Sequence, residues 1–195
     1  MSDGQAIEGG GLRVVFQRLP DRFAHRVERM DHGAVISLIE SIEGAADEDW
    51  PASPPLQELH FERRAGGIQL ALLVGRAGAS HWSMSIELDP TAAKISFDVA
   101  CRVRAAPERL GSRYRRLDLA ADQSGRGEDH PLSMFELSEP WRLRPAGIER
   151  PNCQLCCNGS EFVLEPELPR SVWPQTVRWQ YAIGAGSCGG SQKWG

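Results

Sequence analysis

The residues best suited to chemistry in this chain lie together at Cys153-Gln154-Leu155-Cys156-Cys157. A C-x-x-C pair presented by a tight turn can put two thiolates on one metal ion, and zinc takes four such ligands in a tetrahedron. The remaining ligands would have to come from Cys157, Cys188 or a distant histidine such as His130. The pattern is half of a zinc site. Free thiols in a loop are the expected state, and zinc held by Cys153, Cys156 and Cys157 is the alternative.

His60-Phe61-Glu62 with Pro151-Asn152-Cys153-Gln154-Leu155-Cys156 resembles the H-x-E and P-C-x-x-C signature of the zinc-dependent deaminases. The resemblance implies an α/β fold. Two departures weigh against it: the proline precedes the first cysteine by two residues instead of one, and His60 falls in an alternating strand instead of opening a helix. No catalytic role is assigned to these residues.

A second candidate is electrostatic. Arg102, Arg104, Arg109, Arg113, Arg115 and Arg116, opposed only by Glu108, give residues 102–116 a net charge of +5. Residues 40–62 carry seven carboxylates (Glu40, Glu43, Asp47, Glu48, Asp49, Glu58 and Glu62) and no lysine or arginine. The simplest expectation is that the two stretches neutralise each other within the fold or between copies. A phosphate or nucleic-acid surface is the rival account. Tyr114 is the one aromatic among these arginines that could stack on a base, and the overall charge of -4 gives no attracting field, so nucleic acid is not the expected partner.

Five histidines, His25, His32, His60, His81 and His130, could serve acid–base chemistry, yet none has a sequence companion that fixes such a role. A hydrogen-bonded structural or surface histidine is the expectation. Of the six tryptophans, Trp82 and Trp179 sit on the apolar rows of their strands and read as core. Trp50, in a loop with Pro51, Pro54 and Pro55, is the better contact residue.

These residues must be positioned by strands. From Trp82 to Leu88 the row Trp82, Met84, Ile86 and Leu88 alternates with Ser83, Ser85 and Glu87, and Ile95 to Val103 repeats the pattern. The connection between them is too short for a crossover helix, so the pair is antiparallel. Leu12 to Leu19, a hairpin over Arg22 to Met30 and Ala34 to Ile42, Leu56 to Arg63, Gly67 to Val74 and Thr176 to Ile183 also read as strands. Shorter ones follow at Met134 to Leu137, Trp141 to Arg144 and Glu161 to Leu164, and a short helix after Pro107 is expected within Ala105 to Arg116. The count of nine to eleven strands predicts an all-β, mainly antiparallel fold, a β-sandwich in preference to a closed barrel.

A chain of 195 residues suits one domain, here residues 12–183, with a loose leader over 1–11 and a glycine-rich tail over 184–195. No apolar run approaches the length of a membrane span, and the N-terminus lacks the pattern of a secretory signal, which points to the cytosol. Twenty of the 22 basic residues are arginines, a bias spread along the chain that marks no site. With regular strands and no assembled catalytic set, the expected function is a non-enzymatic binding or protein-interaction module. Its protein or small-molecule ligand would meet a groove rimmed by Trp50 with Arg102, Arg104, Arg113 and Arg115. The alternatives are the zinc protein or metal-dependent hydrolase, and a small barrel enclosing an apolar ligand.

Overall fold

A computed structural model of the chain describes residues 5–117, 132–147, 151–168 and 173–186. The strands are β1 (Gln5–Gly9), β2 (Leu12–Arg18), β3 (Phe23–Asp31), β4 (Ala34–Ser41), β5 (Leu56–Arg63), β6 (Gln69–Ala77) and β7 (Ser80–Asp89). They continue with β8 (Lys94–Val103), β9 (Ser112–Arg116), β10 (Phe135–Glu136), β11 (Trp141–Ala146), β12 (Cys153–Asn158), β13 (Glu161–Pro166) and β14 (Gln175–Ala185). One 3₁₀ turn at Ala65–Gly67 is the only helix among the described residues, and no helix is long and apolar enough to cross a membrane.

Two seven-stranded sheets face each other, in the orders β1-β2-β3-β4-β9-β13-β12 and β10-β11-β14-β8-β7-β6-β5. Every pairing between these strands is antiparallel. The sheets do not close into a barrel. The fold is the β-sandwich that the alternation implies, because each strand has one apolar row to bury and the facing sheet buries it. Val14 and Phe16, Leu73, Met84 and Ile86, Phe97 and Val99, and Trp179 and Tyr181 fill the interior with almost no exposure.

Several expectations are corrected. The leader is a strand over part of its length: Gln5–Gly9 pairs with Leu12–Phe16, and Ile7 enters the core. Gly10 and Gly11 make the connecting turn with φ of 60° and 80°, a backbone shape that costs glycine least. At the other end β14 runs two residues past Ile183, to Ala185. The helix expected after Pro107 is absent; Ser112–Arg116 forms β9, since Tyr114 and Ser112 face inward while Arg113 and Arg115 face water, a two-residue period. Cys153–Asn158 is likewise a strand and not a loop.

The chain changes sheets between β4 and β5 through the proline-rich segment, which needs room at Gly75. A Cβ at that position would overlap the Pro55 carbonyl oxygen. Gly75→Ala is therefore expected to lower unfolding stability by about 1–3 kcal/mol, since backbone and not a flexible side-chain tip must yield. Urea denaturation measures it; a variant as stable as the parent contradicts the close approach.

Candidate functional site

The extended conformation of β12 separates the cysteines. Successive side chains point to opposite faces of a strand, so Cys153 and Cys157 share the inner row with Leu155 while Cys156 lies on the other. Cys153 donates its thiol hydrogen to the Gln180 carbonyl at 3.2 Å. Burial pushes the Cys153 thiol up to about 12 and, with a smaller contribution from Cys156, the Cys157 thiol up to about 11. Cys153 and Cys156 of the C-x-x-C pair thus leave opposite faces of β12 and are not presented together. Among the described residues no group of three or more histidines, cysteines or carboxylates is placed to hold a metal. His130 and Cys188 lie outside the described residues.

The arginine stretch is divided between the two outer faces. Arg102 stands on the outside of the second sheet, opposite His81 and Thr176, and Arg104 is exposed just beyond the end of β8. Arg113 and Arg115 stand on the outside of the first sheet. There Arg115 lies 3.2 Å from Glu40 and 3.5 Å from Glu161, and Arg113 lies 4.0 Å from Glu161. Arg109 approaches Glu48 to 3.2 Å. The Glu40–Arg115 and Glu48–Arg109 pairs are the mutual neutralisation of acidic and basic stretches that the charge pattern suggests.

Trp50 is half-buried and packs on the core, and its carbonyl accepts a bond from Arg109 Nε at 2.6 Å. The same loop is fixed to β9 by Ser53, whose hydroxyl bonds both the N–H and the carbonyl of Arg113 at 3.0 Å. The fold thus brings Trp50 next to Arg109 and the start of β9, and does not bring Arg102 and Arg104 to Arg113 and Arg115.

Sequence reasoning passed over a polar chain in the core. His25 Nε2 is hydrogen-bonded to the Tyr114 hydroxyl at 2.8 Å, and that hydroxyl to Tyr181 at 2.5 Å. Trp179 Nε1 donates to Ser112 Oγ at 3.1 Å. His25, Tyr114 and Ser112 belong to the first sheet and Tyr181 and Trp179 to the second, so these bonds join the sheets through their apolar interior. The only signal in the sequence is that His25 occupies the row of Val27 in a strand.

Burial lowers the His25 imidazole to about 4 and raises both tyrosines well above their ordinary range. His25 is therefore neutral, and the tyrosines stay protonated, across the physiological range. At the rim of this chain Ser41 Oγ accepts the His25 backbone N–H at 2.9 Å and donates to Glu43 at 2.6 Å. Burial raises the Glu43 carboxyl to about 7 against the opposing pull of Ser41 and Arg22. Arg22, itself buried, bonds Asp21 and the Ala45 carbonyl.

Tyr114→Phe keeps the ring but strips a bond from both His25 and Tyr181, leaving buried polar atoms short of partners. We expect a loss of about 1–3 kcal/mol in a denaturant titration, and equality with the parent contradicts the chain of bonds.

A crevice of about 70 Å³ lies over Gln17, Ala24, Arg26 and Glu40 on the outside of the first sheet, beside His25. It has room for a few waters, against the roughly 300–1,000 Å³ of a site for a drug-sized ligand. The other accessible feature is the edge formed by β5, where Glu58, His60 and Glu62 point to solvent and Leu59 and Phe61 are half-buried against the core. No protein-family model matches this chain, and no curated protein matches it.

Proposed function

We propose that the chain is a non-enzymatic binding or protein-interaction module acting in the cytosol. One observation carries this reading: the polar groups that the fold gathers between its sheets, together with two of its cysteines, are turned inward and held in their unreactive forms. His25, Tyr114 and Tyr181 hydrogen-bond one another inside the sandwich, and burial moves the Cys101 and Cys153 thiols up to about 12. A reactive thiol needs a lowered pKa and access, and an imidazole acting as general base needs one near the working pH, which His25 lacks. What the module offers a partner is surface, borne on a rigid two-sheet frame.

The test pairs two screens of the full chain. Arrays of peptides, nucleotides and lipids are expected to return saturable binding of one class. Chromogenic ester, phosphoester, amide and glycoside substrates are expected to return no turnover. Failure to bind any class overturns the reading, as does turnover that disappears in His25→Gln or Tyr114→Phe variants that stay folded. Stoichiometric zinc in protein purified without added metal would restore the metalloprotein alternative.

A further inference from the structure

Resting on the binding-module reading, we propose that the free edge of β5 receives an extended peptide from another protein, with basic residues at alternate positions and apolar residues between them. Among the described residues the other sheet edges are short or occupied. β1 is fastened to the second sheet by Gln69, whose side-chain amide bonds both the N–H and the carbonyl of Glu8. β12 is bridged on its outer side by Leu132, and β10 has two residues.

β5 pairs only with β6. Arg64 N–H bonds the Ile68 carbonyl at the turn, so in antiparallel alternation Glu62, His60 and Glu58 are the residues whose backbone groups meet β6. The N–H and C=O groups of Leu59, Phe61 and Arg63 then face away from the sheet, and no described residue hydrogen-bonds them. Only the Gln57 carbonyl on this edge is taken, by Arg18 Nη1 at 2.5 Å. Such a row of unpaired groups is a template for an added strand.

The side chains select the occupant. An added strand bonded at Leu59 and Phe61 places its intervening residues opposite Glu58, His60 and Glu62, in the narrow pairs where facing side chains approach most closely. Two carboxylates and a histidine, with Arg64 at the end of the row drawn to within 3.5 Å of Glu87 on β7, favour lysine or arginine opposite them. On the other face, Leu59 and Phe61 lie half-buried, and Phe61 meets Phe16 edge-on at 5.7 Å between centroids. Apolar residues of the incoming strand would extend that cluster.

The same carboxylates oppose a second copy of this chain. In the two-fold antiparallel register centred on His60, Glu58 of each copy faces Glu62 of the other, and directly opposed like charges destabilise a strand pair.

The experiment uses the full chain with three synthetic peptides: alternating lysine and valine, alternating glutamate and valine, and the first with a central proline. We expect saturable binding of the lysine peptide alone, weakened by salt, with new amide-exchange protection confined to β5. The charge-reversed variant E58K/E62K, its folding checked by thermal melting, should bind the lysine peptide at least about tenfold more weakly at low salt and bind the glutamate peptide instead.

An affinity unmoved by E58K/E62K, protection on another element, or no lysine-peptide binding overturns the proposal. So does a dimer that protects β5 without peptide, which would assign the edge to a second copy. Binding that maps elsewhere leaves the module reading standing, whereas failure of these peptides and of the wider arrays removes both.

Discussion

Between about pH 4.5 and pH 6.5 the Glu43→Gln variant is expected to lose stability on acidification relative to the parent protein, and a His25→Gln variant to gain it. In the folded protein His25 sits at about 4 and Glu43 at about 7, both because of burial. Unfolded, they return to about 6.5 and about 4.3. Within this window the folded chain therefore holds a neutral imidazole and a neutral carboxyl where the unfolded chain holds both charges. Folding in effect moves one proton from imidazole to carboxylate.

Taken alone, His25 makes stability rise with pH by up to about 1.4 kcal/mol per unit through this window, because the unfolded state binds the extra proton. Glu43 alone makes it fall at up to the same rate, because the folded state does. The two slopes oppose each other in the parent, and each substitution exposes the one that remains. Asp21, whose carboxyl the hydrogen-bonded Arg22 side chain lowers, and Tyr114, raised by burial beside His25, keep their charge states throughout. Urea titrations at three pH values decide the matter: two variants whose pH slopes equal that of the parent would show that these groups are not buried in neutral form.

Trp179→Ala is expected to cost about 3–5 kcal/mol, enough to threaten folding at moderate temperature. Trp179 is fully buried at the middle of β14, meets Trp82 edge-on at 6.1 Å between centroids, and holds Ser112 across the sandwich. Removing it leaves a large cavity and deprives Ser112 of a donor. Trp50→Ala, at the half-buried loop position, should cost clearly less. Chemical denaturation of the two variants side by side is the measurement; equal losses would mean that the proline loop, and not β14, anchors the interior.

The contrast between these tryptophans shows how much of the molecule is written locally. Two-residue alternation placed Trp82, Met84, Ile86 and Leu88 on one face and Ile95 to Val103 on the facing row of the next strand, and both rows are buried. The turn at Asp31-His32-Gly33 was equally legible, with His32 and Gly33 at φ of 46° and 88°. Short or mixed segments misled. Arg113, Tyr114, Arg115 and Arg116 look like a basic helical surface until the strand period separates tyrosine from arginine, and the cysteine run suggests a turn until its pairing with Glu161–Pro166 draws it out straight.

By itself, then, the sequence determined the fold class and the strands at its centre, because burying one row in two is a property that each segment carries alone. Which polar groups meet was decided only by the tertiary structure. His25, Tyr114 and Tyr181 are widely separated in sequence, and no local pattern tells that their hydroxyls and ring nitrogen converge between the sheets. The same holds for the charged stretches: Arg102 and Arg115 belong to one basic stretch of the sequence and lie on opposite outer faces because β8 and β9 belong to different sheets. Alternation sets which side of a strand a residue takes, and only the pairing of distant strands sets what it finds there.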